Sequence, residues 1–179
     1  MISMENKYLI VVDMQKDFVE GALGSKEAAE IVPAVVEKIR QFQGTVIYTM
    51  DTHTEEYLST QEGRYLPVKH CIKGTEGWRL VAPVEELRAG QKAAVYEKST
   101  FACRQLAEDL LAKHQERPID SIELSGVCTD ICVVSNALLL KAYLPETQIL
   151  ADASCMAGVT PGKHQAALET MRSCQIIVK

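Results

Sequence analysis

The 179-residue sequence contains no apolar run near the roughly 18 residues that a membrane-spanning helix needs. Its first residues also lack the basic stretch, the apolar stretch and the cleavage site of a secretory signal. We therefore expect a cytoplasmic protein that neither crosses nor binds a membrane.

Clustered positive charge is also lacking. The chain carries 19 Lys and Arg against 24 Asp and Glu, which gives a net charge of -5, and its basic residues are scattered. Because nucleic-acid binding needs a concentrated basic surface, we do not expect a nucleic acid as the main partner. Apolar residues at 47% and charged residues at 24% are ordinary values and exclude disordered and fibrous classes. A chain of this length can form an adequate core, so we expect one domain over residues 1–179.

The sequence contains six cysteines, which could form three disulfides. A domain with an adequate core does not need such cross-links, and thiols stay reduced in the cytoplasm. We therefore expect at least one thiol that is free to react. The six residues are Cys71, Cys103, Cys128, Cys132, Cys155 and Cys174.

Six short, β-branched segments alternate with segments of helical periodicity. Because they are nearly continuous in apolar residues, each is predicted to be a strand that is buried on both faces. Repeated strand–helix–strand units favour parallel pairing with right-handed crossovers. The predicted fold is α/β, a three-layer αβα (Rossmann-like) domain with a central, mainly parallel six-stranded sheet. The predicted strands cover 8–12, 45–49, 93–96, 121–124, 148–151 and 175–178.

Helical spacing of apolar residues indicates four helices between these strands. They are predicted at 31–42, around Leu106 to Leu111, at 130–142 and at 162–171. The segment 51–85 shows no such periodicity, and long irregular segments in compact domains are commonly functional.

Polar side chains follow four of the predicted strands. Asp13 ends the first strand, Asp51 and His53 follow the second, Lys98 follows the third, and residues 126–132 connect the fourth to its helix. Open parallel sheets bind ligands outside the carboxyl ends of their strands. These side chains are therefore expected to meet at one edge of the sheet.

Cys132 is a candidate nucleophile because it lies near the predicted start of a helix. The positive end of the helix dipole and the nearby N–H groups would favour its thiolate. Asp13 could accept the thiol proton, and Lys98 could stabilise the resulting charges. The alternative is that Cys132 is a small buried apolar residue, as most free cysteines are. Similarly, Asp13 could be a polar strand end and Lys98 an exposed residue.

The sequence Gly-Val-Cys-Thr-Asp-Ile-Cys-Val at 126–133 resembles the active-site signature of the isochorismatase-like cysteine hydrolases, in which the second cysteine is the nucleophile. The family's aspartate after strand one and lysine after strand three correspond to Asp13 and Lys98. The resemblance extends from Tyr8 to Val178. It implies a catalytic triad of Asp13, Lys98 and Cys132 and an assembly of two or four identical subunits.

An oxyanion hole is also implied by this resemblance. It would consist of the backbone N–H groups of Cys128 and Cys132, with a cis peptide at Val127–Cys128. A cysteine at 128 differs from the apolar or small residue that is often found there, and this leaves open a second redox-sensitive thiol.

Four residues could hold a metal ion. Asp51 and His53 lie two residues apart, on one side of an extended backbone, and Glu62 and His70 follow. Two imidazoles with one or two carboxylates suit Zn, Mn, Fe or Co, although a single histidine is more commonly a surface residue. Together the four resemble the nicotinamidase metal site, which implies a divalent ion, with Zn the first expectation. The sequence leaves open whether Glu62, or Glu55 or Glu56, reaches the ion.

A nicotinamidase signature is also resembled by the sequence His-Cys-x-x-Gly-Thr-x-Gly at 70–77. By the same resemblance, Phe18 and Phe101 match the aromatic residues that enclose the pyridine ring. The alternative is that both are core residues, as an isolated phenylalanine usually is. The implied activity is hydrolysis of a small amide, nicotinamide, to nicotinate and ammonia through a thioester, in NAD salvage, with pyrazinamide as a second substrate. One alternative is another hydrolase of this fold that acts on isochorismate, a carbamoyl amide or a ureido compound. The other is a catalytically silent binding protein.

Overall fold

A computed structural model describes residues 5–179. Its six strands form one sheet in the order β3-β2-β1-β4-β5-β6, and all neighbouring strands are parallel. The predicted α/β fold with a central six-stranded sheet is therefore confirmed. The strands are β1 (Lys7–Val12), β2 (Thr45–Asp51), β3 (Ala94–Lys98), β4 (Ser121–Val127), β5 (Gln148–Ala157) and β6 (Ile177–Val178).

Helices cover both faces of this sheet. Alternate side chains of β1 separate the two layers of the core, since Ile10 and Val12 pack with one cluster of buried residues while Leu9 and Val11 pack with the other. The α-helices are α1 (Lys16–Val19), α2 (Lys26–Glu30), α3 (Val32–Gln41), α4 (Gln61–Tyr65), α5 (Ala82–Gln91), α6 (Arg104–Glu116), α7 (Val134–Tyr143) and α8 (Pro161–Ser173). In the part of the chain that the structure describes, no helix combines the length and apolar character needed to cross a membrane.

Three details of the predicted fold are wrong. β3 lies at an edge of the sheet and four of its five residues are exposed or half-buried, so it is not covered on both faces as predicted. The same holds for β6 at the other edge, which is also shorter than the predicted strand at 175–178. The segment 51–85 is not wholly irregular, because it includes a short 3-10 helix at Tyr57–Ser59, α4 and the start of α5. α5 buries Val84 alone among its residues, so it lacks the apolar repeat by which α3, α6, α7 and α8 were predicted.

β1 and β4 lie side by side at the centre of the sheet, and the strand order runs outward in both directions from this pair. This is the topological switch point at which open α/β sheets form a crevice. Val12 is paired with Gly126 near the carboxyl ends of the two strands. Gly126 has a φ of 110°, and a Cβ there would lie 2.1 Å from the carbonyl oxygen of Val12, so this close contact requires glycine. The chain thereby brings the residues that follow β1 and β4 together.

Candidate active site

Asp13, Lys98 and Cys132 meet at this switch point. The Nζ atom of Lys98 lies 2.7 Å from Oδ2 of Asp13 and donates a hydrogen bond of 3.5 Å to Sγ of Cys132. All three residues are buried. The structure thus brings together the carboxylate, the amine and the thiol that the sequence distributes over three strands.

The Asp13 carboxylate is held in place from its other side by Thr49, whose hydroxyl donates a hydrogen bond of 2.7 Å to Oδ1. Burial raises the pKa of Asp13, although the charge of Lys98 opposes this rise. Burial and the nearby Asp13 carboxylate also raise the pKa of Cys132 well above its usual range. Burial therefore works against the thiolate that the sequence suggested, whereas Lys98 works in its favour. In this enclosed environment the loss of hydration has a larger effect on the pKa of Cys132 than the charge of Lys98 does.

Cys132 lies in a π-helical turn, Thr129–Val133, that directly precedes α7. The peptide bond between Val127 and Cys128 is cis, as the family resemblance implied. Cys128 and Cys132 both line the pocket in front of the triad.

Asn136 supports this turn and was not identified from the sequence. Its buried side-chain amide donates hydrogen bonds to the carbonyl oxygens of Cys132, at 2.8 Å, and Phe101, at 3.3 Å. Its Oδ1 atom accepts one of 2.9 Å from the N–H of Cys103. An asparagine in the mostly apolar sequence of α7 is the signal that could have found it.

A second group of polar side chains lies next to the triad. The ligand atoms of Asp51, His53, Glu62 and His70 all lie within 4.8 Å of one another. Oδ2 of Asp51 is 2.9 Å from Nε2 of His53 and 3.4 Å from Nε2 of His70. Oε1 of Glu62 lies 3.6 Å from Nε2 of His53.

Of the three glutamates that the sequence left open, Glu62 is the one in this group. Glu55 instead forms an ion pair of 2.7 Å with Lys69, and Glu56 is exposed. Glu62 is half-buried and faces both imidazoles.

These four residues fit a divalent metal ion. Nδ1 of His70 lies 2.8 Å from the carbonyl oxygen of Val68, which can only accept, so Nδ1 carries the proton and the lone pair of Nε2 faces the group. Burial opposes ionisation of Asp51, but the hydrogen bond with His53 and the charge of Lys98 lower the pKa of this carboxylate. Two imidazole nitrogens and two carboxylates suit the transition metals that the sequence suggested.

Two residues of the segment after β1 hold the metal-ligand group in position. The buried side chain of Gln15 accepts a hydrogen bond from the N–H of Asp51 at 2.7 Å and donates one to its carbonyl oxygen at 2.8 Å. Asp17 accepts a hydrogen bond of 2.7 Å from the N–H of Cys71. A Cβ at Gly77 would lie 2.2 Å from an oxygen of Asp17, which explains the last glycine of the 70–77 motif.

Lys98 connects the two groups, because its Nζ atom is also 3.5 Å from Oδ1 of Asp51. A cavity of about 810 Å³ is lined by Cys132 and by three of the metal-ligand residues, Asp51, Glu62 and His70, together with Phe18 and Phe101. Phe18 is buried and its ring centroid lies 5.4 Å from that of His70, whereas Phe101 is exposed. The role of the two rings in enclosing a substrate stays a prediction.

Comparisons with known proteins give a consistent result. The family model of the isochorismatase domain matches residues 7–179. An uncharacterised isochorismatase family protein, PncA, of Bacillus subtilis is 32% identical over 171 residues, which cover 90% of this chain and 92% of that protein. The structure resembles a pyrazinamidase/nicotinamidase of Streptococcus mutans, with a TM-score of 0.83, 28% identity and coverage of 97% and 100% of the two chains. It also resembles a Pyrococcus horikoshii pyrazinamidase in complex with zinc, with a TM-score of 0.80, 29% identity and coverage of 97% and 98%.

Proposed function

Because the chain belongs to the isochorismatase family, we propose that it is a nicotinamidase, a cysteine amidohydrolase that converts nicotinamide to nicotinate and ammonia. The observation that carries this proposal is the contact of Lys98 with both Asp13 and Asp51, which joins a thiol-based triad to a metal-ligand group. Cys132 and three of the metal-ligand residues line the same cavity. The names of the Streptococcus mutans and Pyrococcus horikoshii proteins support the same substrate class.

In the first half of the proposed reaction, Asp13 accepts the proton of the Cys132 thiol, and the sulfur attacks the carboxamide carbon. The tetrahedral intermediate collapses when its carbon–nitrogen bond breaks and Asp13 returns the proton to the leaving nitrogen. Ammonia departs and a thioester remains on Cys132. Lys98 stabilises the negative charge as it moves between carboxylate and sulfur, since it contacts both.

In the second half, Asp13 accepts a proton from a water molecule whose oxygen attacks the thioester carbon. The carbon–sulfur bond then breaks, nicotinate is released, and the proton returns to Cys132. Attack in both halves places negative charge on the carbonyl oxygen. We assign its stabilisation to the N–H groups of Cys128 and Cys132, since both residues line the cavity. One preorganised donor of this kind contributes about 10²–10³-fold to the rate of acyl transfer.

Asp51, His53, Glu62 and His70 would hold the metal ion. A divalent ion bound there supplies a Lewis acid that can anchor a ring nitrogen beside the nucleophile. Phe18, whose ring centroid lies 5.4 Å from that of His70, and Phe101, which lines the same cavity, would restrict the orientation of the ring. An amide without a ring nitrogen would lack that anchor.

Ammonia release from nicotinamide tests the proposal. Metal-supplemented protein is expected to release ammonia and nicotinate in equal amounts, whereas Cys132→Ala should release neither while it keeps its circular dichroism spectrum. Cys174→Ala, which removes a half-buried thiol outside the cavity lining, is the matched control and should keep full activity. Substantial turnover by Cys132→Ala, or a folded metal-loaded wild type that hydrolyses ureido or carbamoyl compounds but not nicotinamide, would refute the proposal.

A further inference from the structure

Large apolar side chains are exposed at six places in the described part of the chain, and four of them line the catalytic cavity. We call these four the apolar rim; they are Tyr65, Leu66, Phe101 and Val159. The other two, Leu58 and Ile177, are not part of the cavity lining. Apolar exposure is therefore concentrated at the mouth of one site, and such concentrations mark binding surfaces.

The cavity is large for the substrate proposed above. Its volume of about 810 Å³ falls in the range of about 300–1,000 Å³ that holds drug-sized ligands. Nicotinamide is a single ring with one carboxamide. Such a molecule fills only part of a cavity of this size, so space is left for a substituent.

The rim is also poor in charge. Apart from the metal-ligand residues, Lys163 is the one charged side chain among the described residues that line the cavity. Leu23 and Ala28 add apolar surface to the same lining. This composition favours a neutral, apolar group over an ionic one.

We propose that the apolar rim binds an apolar substituent of the substrate, so that the enzyme prefers aromatic carboxamides larger than nicotinamide. This inference rests on the proposed function, because it assumes that the carboxamide lies at Cys132. It adds a substituent subsite formed by Leu66, Phe101 and Val159, which are exposed and line the same cavity as Cys132.

The experiment compares kcat/KM for nicotinamide with that for nicotinamides that carry a methyl, ethyl or propyl group. The group is placed on the ring carbon meta to both the nitrogen and the carboxamide, which is adjacent to neither. We expect kcat/KM to rise about two- to fourfold with each added carbon, the gain for burying one methylene group. A hydroxyl-terminated analogue of the propyl compound should lose most of this gain.

Rim variants provide the second measurement. Leu66→Ser and Val159→Ser should each reduce the ratio of kcat/KM for the propyl compound to that for nicotinamide by about threefold. Ile177→Ser is the matched control, since Ile177 is 46% exposed and Val159 is 45% exposed, and it should leave both the ratio and the nicotinamide rate unchanged.

The two proposals fail separately. If nicotinamide is hydrolysed but kcat/KM falls along the alkyl series, the substituent subsite is wrong and the proposed function stands. If nicotinamide is not hydrolysed, the proposed function fails and the subsite falls with it. Rim variants that change the molecular mass of the assembly in solution but not the ratio would show that the rim contacts a second copy of the chain, which also overturns the inference.

Discussion

The side-chain amide of Asn136 donates a hydrogen bond of 2.8 Å to the carbonyl oxygen of Cys132. The same side chain bonds to the backbone of Phe101 and Cys103, in the segment between β3 and α6. One buried residue therefore fixes the turn of the nucleophile relative to the segment that carries a ring at the cavity mouth.

Asn136→Leu removes these hydrogen bonds with little change in volume. We expect kcat for nicotinamide to fall about 10–100-fold, because displacement of a reacting group by about 1 Å costs this much. The free energy of unfolding should fall by about 2–3 kcal/mol, since buried backbone groups lose their partners. Ser135→Ala, one residue earlier in α7, is the control. A variant that loses stability but keeps the wild-type kcat would contradict a positioning role.

Thr49→Val tests whether the hydroxyl bound to Asp13 orients the carboxylate. The replacement has nearly the same shape but no donor, so we expect kcat to fall about tenfold and the unfolding free energy to fall by about 1–2 kcal/mol. Thr49→Ser keeps the hydroxyl and should restore most of the activity. Equal kcat values for the valine and serine variants would count against this role.

Glu62→Gln tests the fourth metal ligand. The variant should retain less metal after dialysis, measured by elemental analysis, and zinc should raise its thermal midpoint less than that of the wild type. A chelator should lower nicotinamide hydrolysis by the wild type, and added zinc should restore it. Glu55→Gln, which breaks the ion pair with Lys69, should bind metal normally. If both variants retain metal equally, Glu62 is not a ligand.

Lys38→Met tests a charge cluster on the opposite side of the sheet from α7. Nζ of Lys38 lies 2.5 Å from both Oδ2 of Asp152 and Oε1 of Glu123. Burial disfavours the charge of Asp152, but hydrogen bonds from Lys38 and Ser154 outweigh it and lower its pKa below 3.8. We expect a loss of about 1–2 kcal/mol at neutral pH.

The sign of the pH dependence follows from that lowered pKa. The stabilisation is fully present above the unfolded-state value of 3.8 and is lost as the pH falls through the folded-state pKa. The difference in unfolding free energy between wild type and Lys38→Met should therefore shrink in acid, as urea titrations at several pH values would show. Lys26→Met, which breaks the exposed pair with Glu30, should have little effect at any pH. A difference that grows in acid would rule out this account.

The continuous apolar segments were sufficient to predict the sheet. The motifs that follow them were sufficient to predict that Asp13, Lys98 and Cys132 lie at one edge of it. The pattern of β3 could not distinguish an edge strand from a central one, because strand order depends on contacts between distant segments. The raised pKa of Cys132 depends on its burial, which cannot be predicted from the neighbouring residues in the sequence. Thr49 and Gln15 were not predicted as site residues for the same reason, since each acts through hydrogen bonds to a residue 36 positions away.

The contact of Gly126 with the carbonyl oxygen of Val12 limits which parts of such a site can change during evolution. The spacing between the strand ends that carry Asp13 and Cys132 depends on backbone packed against backbone, with no side chain between. Mutations at the cavity mouth can accumulate without altering that spacing. The reacting atoms and the substrate preference can thus evolve as separate traits, with position 126 as the point that tolerates no change.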